Sequence, residues 1–162
     1  MLSYKKIGTG YPLVLIHGYL GGQSMWKFQE ELKNDYDLIM PSLAGYGESS
    51  HMVAPSTIKE NANQVLELLN YLQIDKFNLL GHSMGGMIVQ EMAALYPERI
   101  NKLICFGTGS IGVLPNRFET INESRTKIKK FGFSRIFLES GIKLTTHFLT
   151  EGLIDDLHLF IS

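Results

Sequence analysis

Residues 79–86 read Leu-Leu-Gly-His-Ser-Met-Gly-Gly, and this stretch decides the fold. Its centre is a Gly-x-Ser-x-Gly motif with Ser83 in the middle. The apolar run before the motif favours a buried strand, and the stretch from Met84 to Leu95 favours a helix that ends before Pro97. A serine on such a sharp strand-to-helix turn is held in a strained backbone, with its hydroxyl exposed at the carboxyl edge of the sheet. The motif therefore predicts that Ser83 is a nucleophile.

The neighbours of Ser83 fit the same turn. Gly81 and Gly85 are expected to be glycine because a Cβ at either position would crowd the facing strand and helix. His82 is expected to point away from the nucleophile and to be structural. A Gly-Ser turn between a strand and a helix can also be punctuation without chemistry. The N-terminal half of the chain decides between these two interpretations.

That half contains a second informative stretch, residues 12–22, which read Pro-Leu-Val-Leu-Ile-His-Gly-Tyr-Leu-Gly-Gly. The continuous apolar run Leu13 to Ile16 is typical of a strand covered on both faces of a parallel sheet. It ends in His17-Gly18 and a glycine-containing loop. A further apolar run, Tyr36 to Met40, leads into residues 41–49, which contain the sequence Gly-Tyr-Gly-Glu-Ser.

This order of strand, His-Gly loop, strand, Gly-x-Gly-x-Ser loop, helix, strand and Gly-x-Ser-x-Gly turn resembles the α/β-hydrolase superfamily over roughly residues 4 to 107. Within it, the chain looks most like small ester, lactone and C–C-bond hydrolases, such as enol-lactonases and meta-cleavage-product hydrolases. The resemblance implies that the backbone N–H groups of Tyr19 and Met84 form an oxyanion hole, each donor worth about 3–4 kcal/mol. It also implies that His17, beside Gly18, braces the oxyanion loop and transfers no proton.

The composition places the chain among globular proteins. Its 162 residues are 44% hydrophobic and 19% charged, with a net charge of −1, so nucleic acid is not an expected partner. The N-terminus lacks a signal-peptide pattern, and no apolar run approaches the roughly 20 residues of a membrane span. Cys105 is the only cysteine, which fits a cytoplasmic location, and its apolar neighbours favour buried packing. No metal-binding pattern occurs, so we expect a small-molecule substrate and neither a metal nor a cofactor.

Alternating apolar runs and helical patterns predict an α/β fold with a mostly parallel, doubly wound sheet. Residues 1–109 are expected to form the N-terminal part of the α/β-hydrolase core. The predicted elements include an edge strand at Tyr4 to Ile7, a helix from Ser24 to Leu32, a helix opened by a Thr57/Glu60 capping box, and a strand from Lys102 to Phe106.

Beyond Gly109 the alternation stops, and residues 110–162 are expected to form a helical cap segment. Phe118 to Phe131 and Ser134 to His147 look helical, and Asp155 to Phe160 suggests a further turn or two. The resemblance implies that a helical cap follows the strand Lys102 to Phe106. We therefore expect an incomplete core without C-terminal strands. The strand Lys102 to Phe106 would then be an unprotected edge, favouring self-association or pairing with a complementing C-terminal segment.

The catalytic triad is the part that the sequence does not supply. In this superfamily the acid and then the histidine follow the nucleophile along the chain. After Ser83 the remaining histidines are His147 and His158, both in the expected cap. The alternative position for the acid, just after the strand Lys102 to Phe106, holds Gly107-Thr108-Gly109 and therefore no carboxylate. The resemblance also implies an aspartate at residue 42, which is Ser42 here; that aspartate is not a triad member, so the change concerns the packing of the loop and not the nucleophile. We therefore expect the N-terminal portion of a serine hydrolase whose triad acid and histidine are not present in this chain.

Two functions stay open at this point. The first is a serine hydrolase, such as an esterase, of small ester, lactone or acyl-type substrates. The second is a non-catalytic α/β-hydrolase-fold binding protein or a truncated, inactive fragment. Acyltransferase and haloperoxidase-like activities share the same turn and are not separated from hydrolysis. Dehalogenase and epoxide-hydrolase chemistry is disfavoured because those relatives place aspartate where Ser83 stands.

Overall fold

Strands and helices alternate along the chain, as the sequence predicts. The computed structural model describes residues 1–109 and 136–139. Within these residues, no helix is long and apolar enough to cross a membrane. The strands are β1 (Tyr4–Ile7), β2 (Tyr11–Ile16), β3 (Tyr36–Pro41), β4 (Phe77–His82), β5 (Ile100–Phe106) and β6 (Ile136–Glu139); the α-helices are α1 (Ile58–Tyr71) and α2 (Met84–Leu95); and 3-10 segments span Gln23–Asn34, Gly47–Ser49 and Pro97–Arg99.

The six strands form one sheet in the order β1-β3-β2-β4-β5-β6. Only β1 runs antiparallel to its neighbour, and the other pairs are parallel. From β2 the chain moves to one side of the sheet to form β3, and then returns to the other side of β2 to form β4. The order of strands therefore reverses between β2 and β4, and a crevice at the carboxyl ends of such strands is where α/β proteins bind ligands.

The central strands are covered on both faces. Val14, Ile16 and Ile39 belong to the large cluster that includes α1 and α2. The alternate residues Leu13, Leu15, Leu38 and Met40 pack with Trp26 on the opposite face. Because successive side chains of a strand point to opposite faces, both sets must be apolar. This explains the continuous apolar runs and confirms the doubly wound parallel sheet.

Local signals predicted both α-helices well. Thr57 Oγ1 accepts the N–H of Glu60 at 3.1 Å, and Glu60 Oε2 accepts the N–H of Thr57 at 3.1 Å, so the capping box is formed. Helix α2 has the predicted bounds. The segment expected as a helix from Ser24 to Leu32 is instead a 3-10 segment, broken at Trp26 (φ −91°, ψ 15°), the residue of that segment that is buried.

The expectation of a helix from Ser134 to His147 is wrong at β6. Ile136–Glu139 is a strand that pairs in parallel with β5, with Leu103 opposite Ile136 and Phe106 opposite Glu139. A short apolar run does not distinguish a strand from a buried helix by its periodicity, and here pairing with β5 decides. The expectations that β5 is the sheet edge and that no strand follows it are therefore also wrong. The other expected cap helices, Phe118 to Phe131 and Asp155 to Phe160, lie outside the described residues, and the division at residue 109 stays a prediction.

Arg99 joins three segments at the end of the sheet opposite the strand-to-helix turn of Ser83. Its guanidinium donates to the backbone oxygens of Asp75 at 3.1 Å and Ile74 at 2.8 Å, and to Asn70 Oδ1 at 2.9 Å. The same group lies 5.6 Å from the centre of the Phe77 ring. It thus connects the end of α1, the turn before β4 and the start of β5.

We predict that Arg99→Ala lowers the free energy of unfolding by about 2 kcal/mol, because hydrogen bonds to a charged donor are lost together. Arg99→Lys should recover little, since an ammonium group does not reproduce the fork of guanidinium donors. Urea unfolding of the purified chain measures both changes. Lys102→Ala, which removes an exposed cation nearby, is the matched control. A loss in Arg99→Ala no larger than about 0.5 kcal/mol would place this cluster among ordinary surface contacts.

Candidate active site

The predicted nucleophile and oxyanion loop meet at the point where the strand order reverses. Strands β2 and β4 are parallel neighbours, and Ile16 at the end of β2 is opposite Gly81 of β4. His17 and Gly18 follow β2 directly, and Ser83 follows β4 directly. The parallel register therefore brings two loops that are far apart in sequence to the same edge of the sheet.

Ser83 has the strained backbone that the motif predicts. Its φ of 53° and ψ of −117° lie in a region that residues with a Cβ rarely adopt. Its N–H donates to the backbone oxygen of Phe106 at 3.0 Å, and its own oxygen accepts the N–H of Gly86 at 2.9 Å. Strain of this kind costs about 1–3 kcal/mol and persists only where the surroundings hold it. The expected strand-to-helix turn at Ser83 is therefore confirmed.

Two glycines allow α2 to begin so close to the sheet. A Cβ on Gly85 would lie 2.5 Å from the backbone oxygen of His17 and would also overlap that of Ile16. A Cβ on Gly81 would lie 2.7 Å from Val89 Cγ2 and would overlap the oxygen of Gly85. Any larger residue would push the helix away from β2 and β4, so the expected reason for these glycines is confirmed.

The loop after β2 lies against Ser83. A Cβ on Gly18 would lie 3.0 Å from Ser83 Cβ, so the expected closeness of this loop to the serine is confirmed at Gly18. Met84 is the first residue of α2, where an N–H has no acceptor inside the helix. Among the described residues, the amides of Tyr19 and Met84 donate to no other acceptor. The catalytic role of these two donors stays a prediction at this point.

His17 is a buried brace. Its Nε2 accepts the N–H of Leu43 at 2.9 Å, so the ring proton must be on Nδ1, which donates to the backbone oxygen of Gly18 at 2.8 Å. Burial lowers the pKa of the imidazole below its ordinary value of 6.5, outweighing the opposite effects of the Gly18 oxygen and of Glu48. With both nitrogens engaged in the neutral form, this geometry supports the bracing role.

The side chain of His82 lies between Gly18 and Phe106. Its ring packs against Phe106, with ring centres 5.2 Å apart. Its Nδ1 is buried and has no hydrogen-bond partner in the described part of the chain. A Cβ on Gly18 would lie 3.0 Å from this atom. His82 therefore fills the space between the oxyanion loop and the end of β5, and its structural role stays a prediction.

Thr108 contacts Ser83, and the sequence did not predict this contact. It is buried, and its Oγ1 donates to the backbone oxygen of Ser83 at 2.6 Å. Its side chain also packs on Gly86, where a Cβ would lie 2.5 Å from Thr108 Oγ1. The available signal was the position of Thr108, two residues after the end of β5 at the carboxyl edge of the sheet.

The described residues after Ser83 include no histidine, and His147 and His158 lie outside them. A carboxylate-bearing residue does reach the carboxyl edge of the sheet, because β6 ends at Glu139, opposite Phe106. The sequence predicts Glu139 within a helix, and its place at this edge follows from the pairing of β6 with β5.

The buried neutral His17 predicts acid sensitivity. Because its pKa is lower in the folded than in the unfolded chain, the unfolded chain binds more protons between that lowered value and 6.5. The contribution to stability is complete above this window and is lost as the pH falls through it. Urea unfolding between about pH 7.5 and 5.5 should show this decline, and His17→Asn should flatten it. The exposed His51 supplies the control His51→Asn; an unchanged slope in His17→Asn would show that another group causes it.

Comparisons with known proteins agree with this geometry. The family model described as alpha/beta hydrolase fold matches residues 11–138. The chain is 36% identical over 115 residues to the "dihydrolipoyllysine-residue acetyltransferase component of acetoin cleaving system" of Pseudomonas putida, covering 69% of this chain and 31% of that protein. It is 33% identical to a "putative carbamate hydrolase RutD" of Azorhizobium caulinodans, covering 63% of this chain and 39% of that protein.

One solved structure is similar to this chain in both sequence and fold. The thermophilic esterase of Thermogutta terrifontis superposes with a TM-score of 0.66 at 35% identity, over 70% of this chain and 43% of the esterase. The chain thus spans about a third of the length of the two curated relatives and less than half of the esterase. The residues matched by the family model contain β2 to β5 and all but the last residue of β6. The chain belongs to the α/β-hydrolase fold family.

Proposed function

We propose that this chain carries the nucleophile and the oxyanion hole of a serine hydrolase that acts on small ester, lactone or acyl-type substrates. Ser83 is the nucleophile, and the backbone N–H groups of Tyr19 and Met84 are the oxyanion donors. The observation that carries the proposal is the left-handed backbone of Ser83, with a φ of 53°, on a turn packed against Gly18.

The reaction follows from these positions. Ser83 Oγ attacks the carbonyl carbon, its proton passes to a base, and the carbonyl oxygen becomes an oxyanion. Donors that are fixed before the reaction stabilise that charge without reorganisation, and losing one typically costs about 100- to 1,000-fold in turnover. Collapse of this intermediate breaks the bond to the leaving group and leaves an acyl-serine, which water hydrolyses. A histidine base is expected for this step.

Two features favour this function over a non-catalytic binding protein. A binding protein gains nothing from a strained serine that costs about 1–3 kcal/mol. In addition, two of the similar proteins are named an esterase and a putative carbamate hydrolase, and both esters and carbamates contain an acyl carbon. The name of the Pseudomonas putida relative favours acyl transfer as a second candidate, in which another nucleophile replaces water.

The nucleophile can be tested without its base by Ser83→Cys, because a thiol is intrinsically nucleophilic and partly ionised near neutral pH. The native Cys105 will not interfere, since it is 3% exposed and burial raises the pKa of its thiol to about 12. The thiol of Ser83→Cys attacks p-nitrophenyl acetate, forms an acetyl thioester and releases p-nitrophenolate. Iodoacetamide alkylates the same thiol by displacing iodide, without an oxyanion. The ratio of the two rate constants, here called the acylation preference, therefore reports the oxyanion hole.

We predict that the acylation preference of Ser83→Cys exceeds that of N-acetylcysteine by about tenfold or more, because two amides stabilise the oxyanion. Stopped-flow absorbance gives the acylation rate, and mass spectrometry locates both adducts. Ser83→Ala, which retains Cys105, should react with neither reagent. A preference equal to that of N-acetylcysteine would mean that no oxyanion hole faces residue 83.

A further inference from the structure

Ser42 makes hydrogen bonds to two separate loops. Ser42 is fully buried, and its Oγ accepts the backbone N–H of Gln23 at 3.1 Å. The same hydroxyl donates to Glu48 Oε2 at 2.5 Å. Gly47 packs closely here, since a Cβ on it would lie 3.0 Å from Ser42 Oγ. Ser42 therefore connects the loop after β2 to a carboxylate on the loop after β3.

This contact fixes one end of the oxyanion loop. At the start of the loop, the N–H of Leu43 donates to His17 Nε2 at 2.9 Å. At its end, the N–H of Gln23 donates to Ser42 Oγ at 3.1 Å. Two adjacent residues after β3 thus hold both ends of a turn that contains Tyr19. Inside the turn, Leu20 has a φ of 59°, so the backbone between the two anchors is itself strained.

Glu48 determines how the Ser42 hydroxyl is used. A hydroxyl has one proton, and donation of that proton to Glu48 leaves a lone pair of Ser42 Oγ for the N–H of Gln23. A charged acceptor also polarises the hydroxyl and makes it a better acceptor in turn. The pKa of Glu48 is lowered, first by the hydrogen bond from Ser42 and then by one from Gln23, which agrees with this arrangement. Glu48 itself is exposed, so it can be replaced without opening the core.

We propose that Glu48 is a positioning residue for the oxyanion hole. Its carboxylate, acting through the Ser42 hydroxyl, holds the Gln23 end of the loop and thereby the N–H of Tyr19. This inference rests on the proposed function, because it assigns a purpose to the same donor.

The test measures the acylation preference in the Ser83→Cys background. Glu48→Ala should lower it about three- to tenfold, the effect of losing one hydrogen bond of about 1 kcal/mol, and should leave the iodoacetamide rate unchanged. Glu48→Gln retains an acceptor oxygen without the charge and should lower it less. Glu67→Ala removes an exposed glutamate on α1, away from the site, and should change neither rate.

A rescue variant separates positioning from general damage. Ser42→Asp combined with Glu48→Ala places a carboxylate directly beside the N–H of Gln23 and should restore the preference toward the parent value. Circular dichroism and the iodoacetamide rate show whether each variant is folded. If Glu48→Ala does not fold, Glu48→Gln and the rescue variant supply the comparison.

The outcomes distinguish the two proposals. A parent preference equal to that of N-acetylcysteine contradicts the proposed function. A raised parent preference that Glu48→Ala leaves unchanged keeps the proposed function and overturns the role of Glu48. Equal losses of acylation and alkylation in Glu48→Ala, without rescue by Ser42→Asp, would also overturn it, since they would reflect access to the thiol and not the oxyanion.

Discussion

The closeness of α2 to the ends of β2 and β4 is the constraint on which the rest of the site depends. Gly85, the second residue of α2, packs against the backbone oxygens of Ile16 and His17, and Gly81 leaves room for Gly85. With the helix held there, the chain has one residue in which to turn from strand to helix. That residue, Ser83, must take a positive φ, and the turn directs it toward the loop after β2.

A strained turn persists only if its neighbours hold it, and here the neighbours are in β5 and the loop after it. The oxygen of Phe106 accepts the N–H of Ser83, and Thr108 Oγ1 donates to its oxygen. Each such bond contributes about 1 kcal/mol, comparable with the strain of about 1–3 kcal/mol. Strand β5 is therefore part of the site. Its pairing with β6 supports the site too, because an inner strand is better fixed than an edge.

The sequence predicted what local chemistry decides. The Thr57/Glu60 capping box, the bounds of α2 and the turn at Ser83 each depend on residues within a few positions of one another. The sequence did not predict strand β6, because a run of four mostly apolar residues favours neither a strand nor a helix by itself. Its structure is decided by pairing with β5, where Ile136 lies opposite Leu103. Thr108 and Glu48 were missed for a similar reason, since no sequence pattern states that Thr108 contacts Ser83 or that Ser42 contacts Gln23.

In the proposed site the groups that would stabilise charge are backbone amides, and the polar side chains around them hold that backbone in place. His17 bonds the amide of Leu43 and the oxygen of Gly18, Ser42 bonds the amide of Gln23, and Thr108 bonds the oxygen of Ser83. Every residue except proline has a backbone amide donor. A site built from such donors therefore restricts the backbone path of its loops more than it restricts which amino acids occupy them. Ser42 illustrates this: the loop needs an acceptor at the amide of Gln23, and a hydroxyl hydrogen-bonded to the Glu48 carboxylate supplies it.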